Sequence, residues 1–253
     1  MTNIELGRVF ADAKVASLYR YRAPYPRGVF AILEELLVEP RTVLDAGAGT
    51  GALARNFSRS IARIDAVDPS AAMIAQGRAL PGGDDPRIRW ILGGAEDAPL
   101  SPPYGLITCG ASLHWMRPEI VLPRFRESLA AGARVAIVDT ETTHSGEWRP
   151  DMLAVIRRYS PVEHHLETHE IVAELVERGL FALEGEQRTP TEPFDQSIDD
   201  YLRLLGSTST LSRSTLGPRA DAFEAECREV FARHGMERIR SDLVGYVAWG
   251  WPA

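Results

Sequence analysis

Positive charge is scarce in this 253-residue chain: 28 basic residues stand against 35 acidic ones, the formal net charge is −7, and Lys14 is the only lysine. A protein that grips phosphate backbones draws its affinity from clustered Lys and Arg, so nucleic acid is excluded as the expected partner. Cysteine is nearly absent as well. Cys109 and Cys227 provide neither a disulfide framework nor a paired metal-ligand spacing, which points to a reducing cytoplasm and to no structural zinc. No stretch approaches the ~20 apolar residues that span a bilayer, and the N-terminus lacks a basic patch followed by an apolar run. No membrane partner and no export are expected. Repeats and low-complexity segments are missing too.

What is present is ordinary globular material, 45% apolar and 25% charged, in a length that favours one elaborated core. Residues Asn3 to Tyr21 and Gly28 to Val38 read as helices, the second from Val29, Ile32, Leu33, Leu36 and Leu37 at helical spacing. Between them, Pro24 and Pro26 force an extended turn that displays Tyr21, Arg22 and Tyr25. Short apolar runs then alternate with helical stretches. Strands are expected at Thr42 to Ala46, Ile64 to Asp68, Ile88 to Leu92, Leu106 to Gly110 and Arg134 to Val138, with helices around Ala52 to Arg59, Ala71 to Leu80 and Ile120 to Leu129. That rhythm specifies an α/β fold: a doubly wound, mostly parallel sheet covered on both faces. After Thr140 helices dominate (Trp148 to Tyr159, Glu170 to Arg178, Asp199 to Leu205, Arg219 to Arg233), with strands at Phe181 to Arg188 and Leu243 to Trp249. The organisation is therefore N-terminal helices and lid over 1–39, a cofactor-binding core over 40–140, and sheet completion plus a helical cap over 141–253, all in one structural domain.

Val43-Leu44-Asp45 followed by Gly47, Gly49 and Gly51 places glycines where a strand turns sharply into a helix, leaving backbone as the binding surface. Such a turn also serves dinucleotides, whose pyrophosphate sits at a helix N-terminus. Asp45 separates the two cases: an acid at the turn repels pyrophosphate and suits the cationic end of an amino acid. Asp68, at the end of the next strand and before Pro69, can accept hydrogen bonds from both hydroxyls of a ribose. Gly93 to Leu100, with Ala95 and Glu96, brings small residues and acids to a rim where an adenine edge can lie; each acid alone can equally be a cap or a turn former.

These blocks in order, together with Met73, Pro99-Leu100, Leu113-His114-Trp115, the Tyr21 to Pro26 stretch and Leu129 to Ala133, resemble the class I S-adenosylmethionine-dependent methyltransferases. Within that class the similarity is to the small-molecule group around trans-aconitate methyltransferases and type 11 domains. The resemblance implies a Rossmann-like, seven-stranded sheet. It implies S-adenosyl-L-methionine as cofactor and S-adenosyl-L-homocysteine as product. It assigns the methionine half to Asp45 and to the turn Gly47, Ala48, Gly49, Thr50 and Gly51. Asp68 and Pro69 would hold the ribose, Met73 would pack near the adenine, and Ala95 and Glu96 would read its edge. Gly94 departs from relatives that carry an aspartate there, so Glu96 or Asp97 must supply that contact if anything does.

Gly110 to Trp115 follows the fourth strand at the carboxyl edge of the sheet, where open α/β folds bind ligands. His114 is the candidate general base, since imidazole works near neutral pH; alternatively it anchors the loop over Trp115. Gly110 belongs with the cofactor set. Tyr25, His114, Trp115 and Trp148 are the candidate acceptor contacts. Tyr21 and Arg22 can close over the cofactor, Arg22 on its carboxylate, or form an ordinary surface turn. His164, His165 and His169, with Glu163 and Glu167, read as a solvated helix face, and no metal is expected. The expected activity is methyl transfer to a small molecule, with oxygen favoured over nitrogen or carbon and secondary metabolism as the expected setting. The alternatives are a cofactor-binding protein that does not methylate and a nicotinamide-dependent reductase on a similar sheet. Both monomer and homodimer stay open.

Overall fold

A computed structural model describes residues 7–160 and 167–253. The chain divides into two compact units, each drawn from three stretches. Pro24–Glu141, Leu166–Pro190 and Val244–Ala253 make a sheet unit; Met1–Ala23, Thr142–His165 and Thr191–Leu243 make a helical unit.

The strands are β1 (Thr42–Ala46), β2 (Arg63–Asp68), β3 (Ile88–Leu92), β4 (Tyr104–Gly110), β5 (Leu129–His144), β6 (Phe181–Arg188), β7 (Glu192–Ser197) and β8 (Arg238–Pro252). Seven run in the order β3-β2-β1-β4-β5-β8-β6, the seven-stranded sheet that the motifs imply, and β7 pairs with β8 off that path. Pairs β1/β2, β2/β3, β1/β4 and β4/β5 are parallel, while β6 and β7 each run antiparallel to β8. Every residue of β1 is buried, as a central parallel strand with both faces covered requires. The period of two sorts its neighbours into two layers. Leu44, Ala46, Ile107, Cys109, Val135 and Ile137 meet Val121, Leu122 and Phe125 of the helix Pro118–Ser128. On the opposite face Val43, Ile64, Leu106 and Val138 meet Val29, Ile32 and Leu33 of the helix Arg27–Leu36. Cys109 is a buried small apolar residue, with burial pushing its thiol well above the ordinary value.

The helical unit packs Trp148–Tyr159, Ile198–Gly206 and Ala220–Arg233 around Trp148, Met152, Tyr201, Leu205, Phe223, Val230 and Phe231. Among the described residues no helix is long and apolar enough to cross a membrane.

Three expectations change. The helix expected from Asn3 to Tyr21 is, over its described part, a 3-10 turn at Arg8–Ala11, a helix at Ala13–Leu18 and a second 3-10 turn at Tyr19–Tyr21. Asp12 adopts an extended conformation and caps Lys14 N, starting a new helix. The helix expected around Ala52 to Arg59 is only a 3-10 turn at Ala54–Asn56, because Phe57 is extended and Ala54 N–H is drawn to Asp45 Oδ2 at 3.2 Å. Strand β7 carries Pro193 and two acids in its six residues, which hid it from a propensity reading.

Candidate cofactor site

The site grows from the switch point of the sheet: β2 and β3 lie to one side of β1, and β4 and β5 to the other. Gly47, Gly49 and Gly51 all take positive φ, at 68°, 56° and 74°, the region where a side chain is strained. At Gly47 the fit is also steric, since a Cβ there would stand 2.6 Å from Ser112 Cβ and 3.0 Å from Met116 Cε. The turn is pinned by Ala48 N–H to Val67 O at 2.9 Å and Gly51 N–H to Ala48 O at 2.7 Å. Thr50 is buried and lends its carbonyl to Arg55 Nε at 2.8 Å.

Two carboxylates gather at this turn. Asp68 Oδ2 accepts Gly49 N–H at 2.7 Å and Oδ1 accepts Ser70 N–H at 2.8 Å, the exposed Pro69 fixing the bend between them. Asp45 is only 1% exposed. Its Oδ1 accepts the Thr108 hydroxyl at 3.0 Å and its Oδ2 accepts Ala54 N–H. Asp45 therefore braces the turn from inside the fold. Burial, helped by the charge of Asp68, pushes Asp45 up to about 7 against the hydrogen bonds that pull it down; burial also raises Asp68. No Lys, Arg or His forms an ion pair with either acid among the described residues.

The remaining expected residues fall in several places. Met73 is buried on the helix Ala71–Ala79, which Ser70 caps by accepting Met73 N–H at 3.1 Å. Ala95 O accepts Arg124 Nη1 at 2.9 Å, and Glu96 Oε1 accepts Arg117 N–H at 3.0 Å. A Cβ on Gly94 would stand 3.0 Å from Glu96 Oε2 and 3.3 Å from Asp97 Oδ1, so acid groups already fill the space that an aspartate there would claim. Gly110 ends β4 with Tyr25 Oη 2.7 Å from where its Cβ would be. The half-buried His114 sits in the 3-10 turn Leu113–Trp115, its ring 4.5 Å from that of Trp115.

The sheet unit thus brings together Asp45, Gly47 to Gly51, Asp68, Met73, Ala95, Glu96, Gly110, His114, Trp115 and Tyr25. Tyr21, Arg22 and Trp148 belong to the helical unit. Arg22 donates from Nε and Nη2 to Ser207 Oγ and O, both at 2.9 Å, and stacks on Tyr19; Arg203 lies over Tyr21. Trp148 is packed in that unit's core, its Nε1 donating to Ser145 O at 3.1 Å and its ring against Tyr201 and Phe231. Trp148, expected as an acceptor contact, has its ring enclosed by its own unit. His164 and His165 lie outside the described residues.

Sequence reasoning gave no task to Thr108, Ser112 or Trp90. Thr108 was legible as the polar residue in an apolar strand. Ser112 donates its hydroxyl to Ala46 O at 2.7 Å. Trp90 fills the space that Gly51 and Gly77 leave open, where added Cβ atoms would meet its ring at 2.5 and 2.4 Å; only the fold brings those three together.

Residues 43–132, spanning this turn, both acids and the loop after β4, match the family model described as a methyltransferase domain. Over this segment the chain is similar to methyltransferase domains. It is 29% identical over 145 residues to an uncharacterized methyltransferase of Mycobacterium tuberculosis, covering 57% of each chain. It is 31% identical over 88 residues to a malonyl-[acyl-carrier protein] O-methyltransferase of Anoxybacillus flavithermus, covering 34% of this chain and 33% of that one. The match thus spans little more than half the length of the first of these relatives and a third of the second. Among solved structures, a putative type II methyltransferase from Anaeromyxobacter dehalogenans aligns with a TM-score of 0.62 at 25% identity, over 91% of this chain and 97% of that one. The matched segment lies wholly within the sheet unit, from β1 to the start of β5.

Proposed function

We propose that this protein transfers a methyl group from S-adenosylmethionine to a small-molecule acceptor, at oxygen in preference to nitrogen or carbon, in a reducing cytoplasmic setting. One observation carries the reading: two buried carboxylates, Asp45 and Asp68, flank a glycine-rich turn, and neither has a cationic partner among the described residues. A sulfonium nucleoside with a cationic amino group fits that charge. A dinucleotide would set its pyrophosphate against it, which disfavours the reductase.

Bound there, the cofactor supplies a methyl group already activated for in-line displacement. The chain's own residues then align and exclude water. The Gly47 to Gly51 backbone holds the amino-acid end, with the Asp45 charge behind it. Asp68, at the edge of the turn, would accept the ribose hydroxyls. Met73 and Ala95 shape the adenine end. His114 takes the acceptor's proton at a ring nitrogen, and Trp115, Tyr25 and the backbone of Gly110 border the reacting centre. The acidic balance of the chain supports a small acceptor over nucleic acid. The relative that methylates a malonyl-carrier protein supports oxygen as the accepting atom.

Calorimetric titration with S-adenosylhomocysteine and, separately, with reduced nicotinamide dinucleotide tests the cofactor; binding of the dinucleotide alone would reverse the assignment. Incubation with methyl-labelled S-adenosylmethionine and a metabolite extract tests transfer, and the labelled product identifies the acceptor. Cofactor binding with no labelled product over such extracts would favour the non-methylating alternative.

A further inference from the structure

The loop that leaves β4 is tied at both ends to the cofactor cradle. At its start, the buried Ser112 donates its hydroxyl to Ala46 O at 2.7 Å and lies in van der Waals contact with the Gly47 backbone, where no Cβ fits. At its far end, Glu96 Oε1 accepts Arg117 N–H at 3.0 Å and faces Arg117 Nε at 3.9 Å. Between the ties, Trp115 and Met116 N–H bond back to Ser112 and Leu113 carbonyls at 3.0 and 3.1 Å. That compact turn carries His114 and Trp115.

Local backbone alone does not hold this loop in place. Ala111 takes φ of 46°, the only non-glycine residue with positive φ among the described residues, a conformation that surrounding structure must maintain. Ala111 N–H is drawn to Val138 O at 2.8 Å, and the next residue is the one bonded to Ala46. Ala46 and Gly47 belong to the turn at the methionine end, and Glu96 to the segment at the adenine end. The two ties therefore join the loop to opposite ends of one ligand's cradle.

We infer that Ser112 and Glu96 are positioning residues that strap the His114–Trp115 turn across the cofactor cradle, so that filling the cradle stiffens the loop facing the acceptor. This rests on the methyltransferase reading. It moves Glu96 from adenine reader to anchor: Oε1 is committed to Arg117, and its effect on the reaction passes through the loop.

Amide hydrogen exchange of residues 113–117, in the free protein and with S-adenosylhomocysteine, tests the strap. In the wild type the ligand is expected to slow exchange of these amides by about tenfold or more. Ser112→Ala and Glu96→Ala are expected to speed exchange in the free protein by about tenfold and to lose the ligand-induced slowing, while ligand affinity changes by less than about threefold. Glu96→Gln keeps an oxygen that can accept Arg117 N–H, so it should restore wild-type exchange, which a general loss of stability would not do. Free-protein exchange unchanged in both alanine variants overturns the strap. So does a Glu96→Ala protein that loses more than about tenfold in affinity with loop exchange unaltered, the signature of direct adenine contact. A wild type that fails to bind the ligand overturns the methyltransferase reading and the coupling with it, while the two ties are still judged from the free protein.

Discussion

In the sheet unit the buried carboxylates of Asp45 and Asp68 each accept two hydrogen bonds, from Thr108 and Ala54 and from Gly49 and Ser70. In the helical unit the amide of Gln196, 4% exposed on β7, has no partner for either its Oε1 or its Nε2 among the described residues. Buried polarity is satisfied in the first case by backbone N–H groups that the turn would otherwise orphan, so the acids both shape the loop and charge it. In the second case the amide carries a desolvation cost with nothing returned. The difference teaches where to look for function: a buried charge held by a built network is placed for a task, and a lone buried amide lowers stability.

The sharpest way to break this comparison is Gly47→Ala. Its added Cβ would stand 2.6 Å from Ser112 at a φ of 68°, so strain and overpacking together should cost about 2–5 kcal/mol. Cofactor affinity should fall more than about 100-fold, read by calorimetry. An equal change at Gly179, also at positive φ but with open space around it, should leave binding unchanged.

The Asp45 charge comes next. Its carboxyl titrates at about 7 in the folded chain against 3.8 ordinarily, so its contribution to folding stability is complete below about pH 4 and is lost as pH climbs through 7. Affinity for a cationic cofactor runs the other way: it should rise by up to about tenfold per pH unit below 7 and level off near pH 8. In Asp45→Asn both slopes should vanish, as followed by urea unfolding and calorimetry across pH 5–8; a wild-type affinity flat over that range would remove the electrostatic role.

Gln196→Met tests the other side. Replacing an unpartnered buried amide with an apolar chain of similar length should raise stability by about 1–3 kcal/mol, visible as a higher urea midpoint. A loss of stability would mean that the amide has a partner in solution. The smallest effect is expected from Arg22→Ala: with Ser207 as its hydrogen-bonding partner, it should cost about 1 kcal/mol of stability and leave cofactor affinity within about twofold. A tenfold loss of affinity would show that Arg22 leaves Ser207 to clamp the ligand's carboxylate.

Much of the sheet unit was legible because its signals are local. The run Thr42 to Ala46 is apolar apart from Thr42 and Asp45, and the glycines that follow sit where positive φ is needed, so strand and turn are written in consecutive residues. Strand β6 and the helix Trp148–Tyr159 fall at the expected residues for the same reason. The helix expected after the turn was not legible, because the competitor for Ala54 N–H is Asp45, nine residues back and fixed by β1. The packing of Trp148 against Tyr201 and Phe231 was not legible either, because those partners lie about 50 and 80 residues further along the chain.

Sequence by itself determined most elements of the sheet core, their mostly parallel character and the pairing of an acid with a glycine-rich turn, since these depend on periodicity and on backbone conformations few residues tolerate. Tertiary structure decided what each polar group is committed to: Asp45 enclosed beneath the turn, Ser112 on Ala46, Glu96 on Arg117 and Arg22 on Ser207. Hydrogen bonds between residues 21 to 185 positions apart leave no local pattern, because folding alone brings the partners within reach.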